Sequence, residues 1–554
     1  MNRQSWEQAV RYAERAVRTA GWQDWLAFAS LFIIAMAAIA HARSYSGVII
    51  DDAFITFRYS WNLIHGNGLT YNLGERVEGT SSSLFAVLMA VPIALGADPH
   101  SAAGWLGSIA FAGCCVAAYF GVRACVRDES SRPLALSAAA IVASSSQLAF
   151  HSQTGLETVL YASLVAAGIA AQLNAAVSER PSAAWASLFG VAALFRIEGV
   201  LFFLLAFAIG CAWRGRAEGA WARAKLEFFR FAVVFGPWLV FRLAYFGSLL
   251  PNSVLAKRVN LAWLFHSTAH AALDRLLQGP SVALLRSYVQ DHLLATALLV
   301  GALLLDRTRQ AGVTAVAFAL GCAGLVVWSD GDWMPYARLL TPCIVPLAIG
   351  AVVGLRGFFF HGEQRTRLGH FPSYALAGLS IALIIARART PLDVEAVRSV
   401  NLDRMREMGK RLAPLARRDD LVATETAGIL PYYWGTRTLD MLGLCDRHIA
   451  RSGTPAPNGS GREDLAYVLA KRPTFYAFNF VSEAARLYAQ PEFARHHDEY
   501  ALLQFPYRYL YPLKALPIIL FVRKDRKDIE QLAIEVRGRL LDPGVELRRL
   551  GYLR

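Results

Sequence analysis

Apolar runs recur from residue 25 to residue 386, and they leave the chain few ways to fold. A backbone crossing a hydrocarbon layer must satisfy its own polar groups, so a stretch of about 20 apolar residues predicts a spanning helix. Such runs fall at 25–43, 83–122, 133–150, 156–178, 182–195, 197–213, 229–246, 291–305, 311–328, 339–355 and 371–386. They give about eleven spans, because neighbouring helices let shorter segments cross. The 83–122 run divides at Gly96-Ala97-Asp98-Pro99. Two crossings there would carry Arg123, Arg127 and Arg132 to the outside; one crossing makes the other piece re-entrant or interfacial. Both remain open at this stage.

Basic loops set the orientation. Arg214, Arg216, Arg223 and Lys225 share one connector, Arg307 and Arg309 another, and Arg356, Arg365 and Arg367 a third. Such residues gather on the cytoplasmic side. With the amino terminus also inside, the outward segments hold Asp51-Asp52, 151–157, the Arg196–Glu198 break, 247–260, 329–338 and everything after 387. A net charge of +14 over 554 residues therefore reports topology and not a nucleic-acid partner. Residues 1–24 read as a basic amphipathic lead rather than a cleaved signal. Six of the seven cysteines lie in or beside apolar runs and only Cys445 lies beyond them, so neither a disulfide framework nor metal spacing is present.

After residue 387 charge rises, and β-prone runs at 421–424, 474–478 and 518–522 alternate with helical runs such as 527–541. The expected fold is a polytopic α-helical membrane protein, 25–387, followed by a mixed α/β soluble domain, 388–554. Its outward loops are 46–82, 151–157, 247–290 and 329–338.

Those loops carry the candidate chemistry, each with a plainer alternative. Asp51 and Asp52 follow the first span; they either cap the next short helix or act as an acid–base pair. The loop after them is longer than a connector needs, is punctuated by Gly66, Gly68 and Gly74, and carries Arg58, Glu75, Arg76 and Glu78. Arg196 and Glu198 break an apolar run, as an intramembrane ion pair or as the wall of a polar cavity. His151 and Glu157 bracket a capped turn, with both placed at the lipid boundary. Asn252 follows Pro251 in a turn, where it can hydrogen-bond a loop backbone. Lys257 either snorkels to headgroups or offers a point charge to a phosphate. Asp330, Asp332 and Arg338 share one loop without the spacing of a calcium site. Group transfer from a lipid phosphate needs a carboxylate to deprotonate an acceptor hydroxyl. It also needs cations or a metal to hold the leaving phosphate. These loops supply carboxylates and cations; no cofactor is called for, and a divalent cation stays open.

With these residues in view, the chain resembles the GT-C class of membrane glycosyltransferases, and within it the mycobacterial terminal β-(1→2)-arabinofuranosyltransferase family. The similar pieces are Asp51-Asp52-Ala53-Phe54-Ile55-Thr56-Phe57-Arg58-Tyr59, Asn72 to Gly79, Gly155-Leu156-Glu157-Thr158 and Phe195 to Gly199. Others are Pro251-Asn252-Ser253 with Ala256-Lys257, Gly331 to Pro335 with Arg338, Glu425 to Gly428, and Leu439 to Leu444. The resemblance implies a polyprenyl-phosphoryl sugar donor, decaprenyl-phosphoryl arabinofuranose first. It implies transfer, inverting or retaining, to a cell-envelope glycan at the outer face of the cytoplasmic membrane. By the family pattern Asp51 serves as base with Asp52 as its partner, in an order that could reverse. Arg196, Lys257 and Arg338 are then expected at the donor phosphate. Arg58, Glu78, His151, Glu157, Asn252 and Asp332 are expected around the substrates. A polyprenyl-lipid flippase and a non-enzymatic scaffold related to flagellar motor control are the alternatives; the first lacks an internal repeat and the second has no use for clustered acids and cations.

Overall fold

The computed structural model describes residues 21–48, 50–128, 130–178, 182–215, 217–257, 284–285, 309–329, 334, 336–359, 400–456, 461–478, 480–505 and 518–553. The lead through residue 20, the expected spans 291–305 and 371–386, and Asp330 and Asp332 lie outside the described residues.

The membrane part begins with α1 (Trp22–Arg43) and α2 (Asp51–Ile64), then α3 (Ser83–Ala94), α4 (Pro99–Cys125), α5 (Ser131–Ala143) and α6 (Ser146–His151). It continues through α7 (Thr158–Val177), α8 (Ala184–Phe195), α9 (Gly199–Arg214), α10 (Ala220–Phe246) and α11 (Asn252–Ala256), and then α12 (Arg309–Trp328) and α13 (Ile344–Phe359). Among the described residues, α1, α4, α7, α10 and α12 are long and apolar enough to cross a membrane.

Ion pairs mark the two sides. Asp24 at the start of α1 meets Arg132 of α5 at 2.7 Å, and Arg214 ending α9 meets Glu227 of α10 at 2.8 Å. Asp128 beyond α4 pairs with Arg356 of α13. On the other side, Arg196 after α8 meets Glu157 before α7 at 3.0 Å, and Arg242 near the end of α10 meets Glu78 at 2.9 Å. His100 in the first turn of α4 lies 2.8 Å from the Val48 carbonyl, so the segment between α1 and α4 starts and ends on one side. The 83–97 piece therefore makes no net crossing, and α4 alone carries the chain across. The 12-residue α3 rises only about 18 Å, against a hydrocarbon layer of about 30 Å. Pro99 opens α4, and Asp98 caps it through the Ser101 N–H at 2.8 Å. The expected 133–150 span is likewise two pieces, α5 and α6, where Ser145 accepts from the Leu148 N–H and starts the second.

Small residues let these helices close up, as membrane packing requires. A Cβ on Gly107 of α4 would lie 2.1 Å from the Ser152 carbonyl oxygen, so the 152–157 loop presses directly on that helix.

The soluble part runs α14 (Val400–Leu412), β1 (Leu421–Thr424), α15 (Ile429–Trp434), β2 (Arg437–Asp440), β3 (Thr454–Pro455), β4 (Arg462–Glu463), β5 (Phe475–Ala477), β6 (Tyr500–Phe505), β7 (Ile518–Arg523) and β8 (Arg539–Leu541). The main sheet has the order β2-β1-β5-β7-β6-β8, with β1 parallel to β2 and β5, and the remaining neighbours antiparallel. All three expected β-prone runs are strands. The expected helix over 527–541 is corrected: helix covers Ile529–Glu535, and the chain then turns at Arg537 (φ 51°) and Gly538 to return as β8 beside β6.

Candidate active site

The acidic pair opens α2, and α2 lies under α15. Asp51 caps a helix, but not its own. Its Oδ1 accepts the Ile429 N–H at 2.7 Å and its Oδ2 accepts the Gly428 N–H at 2.9 Å, both at the start of α15. Unpaired N–H groups at a helix start favour an anion. The approach is tight enough that a Cβ on Gly428 would lie 1.9 Å from the Asp51 carbonyl oxygen. Burial pushes the Asp51 carboxyl up to about 7; the two N–H groups oppose that rise, and the nearby charges of Asp52 and Asp440 add to it. Asp440, ending β2, accepts from Cys445 N–H at 2.7 Å and Leu442 N–H at 3.0 Å, and burial pushes it to about 7 as well. Asp52 is different. Its side chain keeps 21% of its surface and faces Lys257 Nζ at 3.7 Å.

Three further residues expected at the substrates tie α2 and the loop after it to their neighbours. Arg58 sends Nε–H to the Tyr71 carbonyl at 2.8 Å, and its terminal nitrogens to Pro431 O, Thr438 Oγ1, Asn72 Oδ1 and Thr436 O. All five of its donors are so engaged, which a planar fork permits and an ammonium would not. Asn252 donates to the carbonyls of Gly443, Leu444 and Asp446, while its own N–H binds the Glu78 carbonyl at 2.8 Å. Glu78 is buried against Arg242 and takes the Ser83 hydroxyl at 2.8 Å.

A second group of charges lies at the start of α7. Arg196 bridges Glu157 at 3.0 Å and Glu198 at 2.8 Å, so the ion pair read from the sequence is a triad. Together with Arg338, Thr158 and Tyr161, Arg196 and Glu198 line a small cleft. The lipid-boundary placement of His151 and Glu157 is corrected, for both are fully buried. Gly155 allows this: its Cβ position falls 2.9 Å from Ala53 Cβ, so the loop tucks between α2 and α4. His151 Nε2 lies 3.3 Å from the Tyr336 carbonyl. The segment Gly79 to Ser83 joins the two groups, with Gly79 against Cys445 at one end and Ser81 Oγ donating to Glu157 at 3.1 Å.

The structure thus gathers Asp51, Asp52 and Lys257 in one place, and Glu157, Arg196 and Arg338 in another. Asp332 lies outside the described residues. Arg242, missed from the sequence, was signalled by standing well inside the apolar run 229–246, whose other charge, Arg230, lies at its edge. Among the described residues no three His, Cys, Asp or Glu side chains converge as a metal set.

A family model described as a domain of unknown function, DUF8728, matches residues 395–519. No curated protein matches the chain. Among solved structures, ArnT from Cupriavidus metallidurans bound to undecaprenyl phosphate is similar with a TM-score of 0.56 at 13% identity, covering 90% of this chain and 98% of that one. Its apo state gives 0.54 at 12% identity, covering 90% and 98%. The apo oligosaccharyltransferase of Archaeoglobus fulgidus gives 0.51 at 12% identity, covering 90% of this chain and 76% of that one. The chain therefore has the GT-C fold, a polytopic helical membrane protein with a sheet-containing domain at its carboxyl end.

Proposed function

We propose that this chain is a glycosyltransferase that moves a sugar, D-arabinofuranose, from a polyprenyl-phosphate donor to a cell-envelope glycan on the outer face of the cytoplasmic membrane. Decaprenyl-phosphoryl arabinofuranose is the donor. The observation that carries this is the accessible Asp52 carboxylate, 3.7 Å from Lys257, in a GT-C fold. A similar fold, ArnT, is described bound to undecaprenyl phosphate.

In the reaction, Asp52 takes the proton of an acceptor hydroxyl as its oxygen attacks the anomeric carbon. The bond from that carbon to the phosphate oxygen breaks, and the electron pair leaves with the prenyl phosphate. Lys257, beside Asp52, steadies that leaving anion. The order of the acidic pair is reversed from the one first read, because both Asp51 oxygens already accept backbone N–H groups. Asp51 holds the soluble domain over the site, and that domain offers the glycan a surface.

The test is transfer by the purified full chain in detergent, given prenyl-phosphoryl arabinofuranose and a short arabinan, with product read by mass spectrometry. A product one pentose heavier, lost in Asp52→Asn, supports the proposal. Product only with another prenyl-phosphoryl sugar would remove arabinofuranose and keep the transferase. No product with any such donor would sink the reading.

A further inference from the structure

The Asp52–Lys257 pair is too weak to set where Lys257 stands. The two groups lie 3.7 Å apart with side chains 21% and 27% exposed, and loose pairs within reach of water contribute little. The helix that leads to the lysine is short as well. α11 has five residues, Asn252–Ala256, far below the length at which a helix persists unaided. The place of Lys257 therefore comes from what α11 is fastened to.

Those fastenings converge on Asn252. On the membrane side its backbone N–H donates to the Glu78 carbonyl at 2.8 Å. Arg242, paired with the Glu78 carboxylate at 2.9 Å, also donates to the Leu249 carbonyl at 3.3 Å, in the turn before α11. On the other side the Asn252 side chain donates to the carbonyls of Gly443, Leu444 and Asp446 at 2.9, 3.0 and 3.0 Å. Asp440 steadies that same loop by accepting the N–H groups of Leu442 and Cys445. Buried Ala256, at the end of α11, shares an apolar cluster with Leu444 and Cys445. Three carbonyls thus take up the two hydrogens of one amide, on a residue only 6% exposed.

We infer that Asn252 is a positioning residue. By fastening α11 to the 443–446 loop it sets Lys257 beside Asp52, so the cation for the leaving phosphate stands in place only while the soluble domain is docked. One amide thereby couples that domain to the donor site. This rests on the glycosyltransferase reading above and on the part it gives Lys257.

The test measures binding of bare prenyl phosphate to the full chain in detergent by calorimetry, in wild type, Asn252→Ala, Lys257→Met and the double variant. Lys257→Met removes the cation and weakens binding by about tenfold or more, as for one charge-assisted hydrogen bond. Asn252→Ala leaves Lys257 present but unplaced, and weakens binding by about three- to tenfold. In the Lys257→Met background the same change adds little, because the two residues act as one unit. Gly443→Ala reaches the link from the soluble domain, and serves equally should Asn252→Ala fail to fold. Its φ is 75° and the new Cβ would lie 2.8 Å from the Ala450 nitrogen, so the loop must shift and its carbonyls leave Asn252. Binding then falls, again only where Lys257 is present. Equal losses with and without Lys257 would mark a structural role alone and overturn the inference. Unchanged binding in Asn252→Ala and Gly443→Ala, or in Lys257→Met, would overturn it too, while transfer by the wild type stands. A wild type that neither binds prenyl phosphate nor transfers any prenyl-phosphoryl sugar overturns the transferase reading, and this inference with it.

Discussion

Gly428→Ala tests how the soluble domain is fastened to α2. The new Cβ would lie 1.9 Å from the Asp51 carbonyl oxygen and 2.6 Å from its carbon. Ordinary carbon contacts begin near 3.5 Å, so the start of α15 must withdraw from α2 by roughly 1.5 Å. Bonds of 2.7 and 2.9 Å from Ile429 and Gly428 to the Asp51 carboxylate do not survive that shift. Above about pH 7, where the Asp51 carboxyl is ionised, hydrogen bonds to a charged group contribute about 1.5–3 kcal/mol each, so local docking weakens by about 3–6 kcal/mol. Amide exchange over 428–434 should then accelerate by about a hundredfold to ten-thousandfold. Gly435→Ala, at the far end of the same helix, is the control. Its φ is 78° but nothing lies within 4 Å of the Cβ position, so only backbone strain of about 1–2 kcal/mol opposes it. Transfer should fall in Gly428→Ala and persist in Gly435→Ala, since displacing Asp51 moves Asp52. Equal exchange in the two variants would refute the close approach as the fastening.

Asp52→Asn should abolish transfer in a folded protein, while Asp51→Asn, with one amide oxygen in place of two acceptors, loosens docking by about 1–3 kcal/mol; mass spectrometry and amide exchange separate the two, and an active Asp52→Asn would refute the assignment. Arg58→Lys has three donors for five acceptors, so at least two of these charge-assisted hydrogen bonds are lost at about 1.5–3 kcal/mol each; rapid trypsin release of the soluble domain reads this, and wild-type resistance would count against it. Removing either partner of the buried Glu78–Arg242 pair should cost about 3–5 kcal/mol, whereas Glu78→Gln with Arg242→Met together should cost less than the two single changes summed; additivity in thermal unfolding would deny the coupling. Asp51 and Asp440 are raised from 3.8 to about 7, so the folded state holds protons that the unfolded chain has released. Their stabilising contribution is complete below about pH 4 and is lost as pH rises through about 7; exchange over 428–445 should quicken across that window, less steeply in Asp51→Asn, and an identical slope in both proteins would refute the linkage.

The spanning helices were legible because burying some twenty residues in lipid leaves a compositional trace; α1, α4, α7, α10 and α12 all fall on expected runs. The acidic pair and the Arg196–Glu198 break were visible for the converse reason, since a charge beside lipid stands out. Their partners were less so. Asp51 is held by the backbone N–H groups of Gly428 and Ile429, and Arg58 largely by carbonyls, and such groups are the same in every residue. Only the glycine at 428 betrays the close approach. Glu157 and His151 were misplaced because a turn between spans reads as boundary whether it faces lipid or folds inward. The 83–97 piece was ambiguous because apolar length does not report direction. The helix after 529 ends where Arg537 takes a left-handed turn (φ 51°), which the composition around it does not signal.

The Arg58 guanidinium has a consequence for how the protein is made. One of its acceptors, Thr438, lies 380 residues further along the chain. At about 5–20 residues per second, synthesis reaches that acceptor about 20–80 seconds after Arg58 emerges. Throughout that interval α2 carries a cation whose acceptors at Pro431, Thr436 and Thr438 do not yet exist. A chain stopped before residue 428 would leave α2 permanently in that state, with Asp51 lacking its two donors as well. The polar groups of α2 are therefore completed only by residues 428–438, made long after it.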